Sequence, residues 1–189
     1  MKSLLTFAVT LSALAATPAV AGTTIFTGNT AGGPTYNRAL SGRPPTGLSA
    51  VGTAVRYVVN PFTVSQSGAY DFLNSSQHDA FLGVHVNFFN PLNALQNALA
   101  YDDDAGPGSD SAINGLSLLA GTSYFAISSG FANSDFGAFT LTIRGPGDII
   151  GGNGVAPVPE PTIWGLMIVG FGLIGSALRR ERKKVALAI

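Results

Sequence analysis

Between Ala54 and Arg144 apolar and polar residues alternate in short runs, and these runs set the architecture to expect. In Ala138–Arg144, Phe139, Leu141 and Ile143 alternate with Thr140 and Thr142, the period-two pattern of a strand with one buried face. Ala80–Val86 alternates too, with Leu82, Val84 and Val86 set against Phe81, Gly83 and His85. Arg56-Tyr57-Val58-Val59 and Pro61-Phe62-Thr63-Val64 make a β-branched and aromatic stretch whose proline predicts an edge or a bulge. Ser67-Gly68 predicts a turn and Ala69–Phe72 the returning strand of a hairpin. Runs at Ile25–Thr27, Ala98–Tyr101, Ile113–Leu119 and Tyr124–Ile127 complete the series. With turn residues about every ten positions and no helical period in between, the pattern predicts an antiparallel β-sandwich or jelly roll.

The two ends read differently. Lys2, the apolar segment Leu4–Ala16 and the small residues Ala19-Val20-Ala21 have the order of a secretory signal, with cleavage expected between Ala21 and Gly22. Near the other end, residues 162–178 carry no charge, and 17 such residues reach the short end of a membrane-crossing helix. Arg179-Arg180-Glu181-Arg182-Lys183-Lys184 follows at once and holds five of the ten Lys and Arg residues. By the positive-inside rule this block stays in the cytoplasm and the body lies on the far side. The fold class expected is therefore mainly β, a sandwich or jelly roll with an N-terminal signal helix and one C-terminal transmembrane helix. The expected division is a signal at 1–21, the exported β domain at 22–144, a Gly/Pro linker at 145–157 and a tail at 158–189.

Charge sharpens this division. The formal net charge of zero conceals segregation, because both glutamates lie in the tail and the lysines are Lys2, Lys183 and Lys184. Between Gly22 and Ile150 eight aspartates face Arg38, Arg43, Arg56 and Arg144, a net of −4. An acidic, lysine-free body argues against nucleic-acid binding, which wants a basic face. With no cysteine, an exported domain must hold by its core, and by metal if it binds one, instead of by disulfides.

Candidate chemistry is concentrated in Asp102–Ser111. Carboxylates on a tight glycine-containing loop can supply the hard oxygens that calcium takes six to eight at a time. Asp102, Asp104 and Asp110 are the candidate ligands, since alternate residues of an extended segment share a face and Asp103 would point away. The spacing is not that of an EF-hand, and a solvated turn is the competing reading. His78 and Asp79 could be combined with a serine, but no Gly-x-Ser-x-Gly elbow is present, and two histidines fall short of a zinc site. The chain reads as non-enzymatic. Phe88, Phe89 and Phe131, near loops, are the aromatics that could be exposed to a partner or a polymer.

Pro159-Glu160-Pro161 holds Glu160 extended, because each proline fixes its own φ and disfavours helix in the residue before it. With Trp164, the uncharged run and the basic block, this order resembles the PEP-CTERM sorting signal of Gram-negative bacteria. Pro159, Glu160, Pro161 and Trp164 match its motif. The resemblance implies recognition by an exosortase-like processing enzyme after export, then delivery to the cell surface or the exopolysaccharide matrix. It also implies anchoring at the inner membrane through the C-terminal helix beforehand. The body is loosely similar to the bacterial pre-peptidase C-terminal domain family at Asp79-Ala80-Phe81-Leu82, Ala120–Phe125 and Gly137–Leu141, a resemblance that implies a small accessory sandwich. The reading is of an exported surface or matrix protein. The alternatives are a calcium-assisted glycan-binding or matrix-binding adhesin and a small secreted hydrolase.

Overall fold

The computed structural model describes residues 21–151. Ten strands follow in order: β1 Gly22–Asn29, β2 Thr35–Tyr36, β3 Val55–Val64, β4 Gly68–Ser76, β5 Ala80–Val86, β6 Ala98–Asp102, β7 Ser111–Leu118, β8 Tyr124–Gly130, β9 Ala138–Gly145 and β10 Ile149–Gly151. All pairings are antiparallel. One sheet is four-stranded, in the order β1-β9-β4-β7; the other has six strands, β10-β3-β8-β5-β6 with β2 paired to β3.

The alternation seen in the sequence explains how the sheets stack. Phe26 from β1, Phe72 from β4 and Phe139, Leu141 and Ile143 from β9 share one cluster with Phe62 from β3, Leu82 and Val84 from β5 and Ala126 from β8. The inner faces of both sheets meet in that cluster, and burying their apolar surface is the main force holding the two layers together. Tyr70 faces Leu116 and Phe72 faces Ile113 across β4 and β7, so Asn114 and Gly115 together oppose Asp71. Gly115 takes the positive φ of 61° that this bulge needs, and its N–H donates to Asp71 Oδ1 at 2.6 Å. Pro61 sits where β3 has lost one neighbour, between the stretch paired with β2 and the stretch paired with β10.

The outer face of the six-stranded sheet is covered as well. Tyr36, Val55 and Ile127 form a second cluster, with Tyr57 and Phe89 packed against it. Ala39, Phe81 and Tyr101 form a third, with Phe131 against it. Segments 37–54 and 87–97 therefore act as a third layer, which is why Phe81 and His85 are buried along with the opposite face of β5. Of the three loop aromatics, Phe89 and Phe131 are packed and Phe88 is half exposed.

Two corrections to the expected architecture follow. The described residues form antiparallel sheets with no helix, and so no helix among them is long and apolar enough to cross a membrane. The expected fold class with two helices is therefore replaced by an all-β body, and both expected helices, at 4–16 and 162–178, lie outside the described residues. The body also runs past residue 144. Ile149 is 4% exposed in the core, and Ile149–Gly151 pairs with Phe62–Val64, so the first part of the presumed linker belongs to a sheet.

Candidate functional site

The site is built around one buried cation. Arg38 is 2% exposed, and its guanidinium lies 3.8 Å from the centroid of the Phe81 ring and 4.5 Å from that of Phe131. Its Nε donates to the Phe131 carbonyl at 2.8 Å and Nη1 to the Ala39 carbonyl at 3.1 Å. A guanidinium suits this position because its flat faces stack on rings while its edge donates.

Beside it, the pairing of β5 with β6 brings carboxylates together. Leu82 faces Asp102 in that register, so Asp79, just before β5, lies level with the chain leaving β6. One oxygen from each of Asp79, Asp103 and Asp104 falls within 4.8 Å of the others. Asp79 Oδ1 and Asp103 Oδ1 are buried and accept no hydrogen bond. Partial burial and the charges of Asp104 and Asp79 push the Asp103 carboxyl up to about 6, against the pull of Arg38. Asp79 is raised for the same reasons, burial first and Asp104 next.

Of the ligands expected from the sequence, only Asp104 joins this group. Asp102 Oδ2 accepts the N–H groups of Ala105 at 3.0 Å and Ala112 at 2.9 Å, closing the loop on itself. Asp110 Oδ1 accepts the Ser76 N–H at 3.1 Å, and its backbone bonds Gly106 and Pro107. These two carboxylates shape the loop, while Asp103 faces the cluster instead of away from it. Strand alternation fails at Asp103 because β6 ends at Asp102 and the chain turns there. Asp79 stands out in the sequence only beside His78 and at the head of its strand, and Arg38 carries no local signal; the run Asp102-Asp103-Asp104 is the one pointer to this cluster. Three carboxylates this close together could contribute to a hard divalent cation, with carbonyls and water completing six to eight oxygens.

The histidines have separate settings. His85 is fully buried, with Nδ1 3.0 Å from the Gln96 carbonyl and Nε2 2.7 Å from the Tyr101 hydroxyl. A carbonyl only accepts, so Nδ1 carries the proton and Nε2 accepts from Tyr101. Burial holds this imidazole down at about 4, so it is neutral at pH 7. Gly83 makes the bond possible, since a Cβ there would collide with the Tyr101 ring. Nearby, the Ser129 hydroxyl donates to the Phe81 carbonyl at 3.1 Å, which ties that serine to the backbone. His78 lines an open cleft with Ser75, Ser76, Phe136 and Thr140, and the Ser76 hydroxyl donates to the His78 carbonyl.

Of the signal-cleavage residues, Ala21 is exposed directly before β1, and Ala19 lies outside the described residues. Pro159, Glu160, Pro161 and Trp164 also lie outside them. Residues 157–183 match the PEP-CTERM protein-sorting motif, a span that contains all four. No match to the chain was found among curated proteins. The pre-peptidase resemblance of the body gains nothing from the motif match, which is confined to the tail. The motif supports an exported, cell-surface-directed protein processed by exosortase-like machinery.

Proposed function

From the PEP-CTERM sorting motif that this chain carries at residues 157–183, we propose that its β-sandwich is a non-enzymatic surface module. The tail holds the precursor at the inner membrane until processing near Pro159-Glu160-Pro161, and the released body then serves in the exopolysaccharide matrix. The motif match carries this reading. The fixed setting of His85, with both ring nitrogens engaged and no exposure, supports a structural use of that histidine. The test is the mass and location of the mature chain in its own host. Chains beginning at Gly22, ending near Glu160 and recovered from the surface or matrix fraction are expected. Full-length protein soluble in the cytoplasm overturns the proposal.

A second reading, a calcium-assisted binding module, is favoured by the unpartnered oxygens of Asp79 and Asp103 beside Asp104. Extracellular modules bind calcium at about 10⁻⁴–10⁻³ M. At ten times the dissociation constant, linkage adds about 1.4 kcal/mol of stability. Melting in calcium should then exceed melting in EDTA by a few degrees, with magnesium weaker because it dehydrates reluctantly. Asp103→Asn with Asp104→Asn should abolish the difference, whereas Asp110→Asn should leave it. Equal melting in all three solutions removes this reading.

A further inference from the structure

The outward face of the four-stranded sheet carries two rows of hydroxyl and apolar side chains, and a third row in which Arg144 lies opposite Thr23 and Asp71. Strand register places Thr27, Thr140 and Ser75 in one row across β1, β9 and β4, and Ile25, Thr142 and Leu73 in the next. Thr27, Thr140 and Ile25 are exposed, and the strands repeat about every 4.8 Å. Beyond Ser75 and Thr140 the face runs into a cleft of about 580 Å³, lined also by Gln77, His78, Phe136 and Ala138. Phe136 is 44% exposed, and the Arg56 guanidinium lies 5.0 Å from the centroid of its ring.

No Asp, Glu, Lys or Arg lines this cleft, and burial lowers the His78 imidazole below its ordinary value, so the lining is uncharged at pH 7. An ionic ligand would find no counter-charge in the lining itself, the adjacent Arg56 being engaged on the Phe136 ring, and a purely apolar one would strip water from hydroxyls without replacing their hydrogen bonds. A sugar ring satisfies both demands. Its hydroxyls bond Ser, Thr and Gln side chains, and its C–H face lies on an aromatic ring. We propose that the cleft at Gln77, His78 and Phe136, continued by the Thr27–Thr140–Ser75 row, binds a neutral polysaccharide chain. The cleft receives one or a few sugar units and the sheet face supports the rest of the chain. This deepens the matrix reading by naming the chemistry of the polymer and the surface that holds it.

The experiment titrates the full chain, in a zwitterionic detergent without a sugar headgroup, with neutral cello-, malto- and xylo-oligosaccharides. Polygalacturonate serves as the charged control, and binding is followed by calorimetry. At least one neutral series should bind, and Phe136→Ala and Gln77→Ala should each weaken it about tenfold, the size of one good contact. Both side chains are exposed, so circular dichroism should show the fold unchanged in either variant. Binding that neither variant weakens, a preference for polygalacturonate, or no binding of any neutral series each overturns the proposal. Localisation of the mature chain is read separately, so loss of sugar binding with correct export would defeat this site and leave the export reading standing.

Discussion

His85 and Asp103 are two titrating groups whose burial acts on stability in opposite directions. Burial lowers the His85 imidazole to about 4. As pH falls from about 6.5 to 4 the unfolded chain takes up a proton that the folded chain refuses, so stability is lost across that window. The full loss is about 3 kcal/mol, and His78, also lowered by burial, acts in the same sense. Asp103, raised to about 6, works the other way: the folded chain binds its proton first, so stability is gained as pH falls through 6. Its partly solvated carboxylate limits that gain to under about 1 kcal/mol, so the histidine prevails. Urea unfolding at pH 7 and pH 4.5 should show a marked loss for the native chain and a much smaller one for His85→Gln. A variant that loses as much as the native chain would show that the acid sensitivity arises elsewhere. At pH 7 without calcium, Asp103→Asn should be slightly stabilising, because it removes a carboxylate that burial and three neighbouring acids oppose.

At the level of the strands, inward position decides what a substitution costs. Phe139 on β9 is 4% exposed in the shared core, and Phe139→Asp places an unpaired charge there, a cost of several kcal/mol in a domain that typically holds about 5–15. Thr140, its neighbour in sequence, faces out, and Thr140→Asp should change the urea midpoint little. Equal destabilisation by the two would contradict the strand's orientation. This contrast was legible in the sequence, because Phe139, Leu141 and Ile143 repeat with period two over a whole strand. β2 and β10 were not legible, since two or three residues cannot show a period and their pairing depends on β3. The third layer was hidden for a related reason. Phe81 and His85 read as one face of a strand, but the segments that bury that face, 37–54 and 87–97, are irregular and show no period that would mark them as a layer. The acidic site was half legible: the aspartate run marked the loop, while its division into Asp102 and Asp110 for shape and Asp103 and Asp104 for the cluster depended on where β6 stopped. Gly83 gives a sharper test of the third layer. Gly83→Ala drives a methyl into the Tyr101 ring, so it should loosen the His85–Tyr101 bond and lower stability by about 1–3 kcal/mol, the usual range for overpacking.

For the molecule as a whole, the body and the tail divide the work. Among the described residues, every member of the main core cluster lies between Phe26 and Ile149. A substitution in the tail should therefore leave the body's spectrum and melting unchanged while altering where the protein goes. Pro159 and Pro161 predispose Glu160 to an extended backbone, and an extended segment is the form in which a processing enzyme can reach a peptide bond. The carboxylate of Glu160 is then the one charged group offered at the motif, whereas Trp164 stands three residues beyond Pro161, near the start of the uncharged run. If the extended motif is what the exosortase-like enzyme reads, Glu160→Ala should cause unprocessed precursor to accumulate, with about tenfold less mature chain at the surface, the loss expected from one charge-assisted contact. Trp164→Ala should slow processing much less. Pulse-labelling in the native host, followed by fractionation and intact mass, separates the two variants. Normal processing of Glu160→Ala, or a stronger block from Trp164→Ala, would move recognition from the Pro-Glu-Pro segment to the residues that follow it.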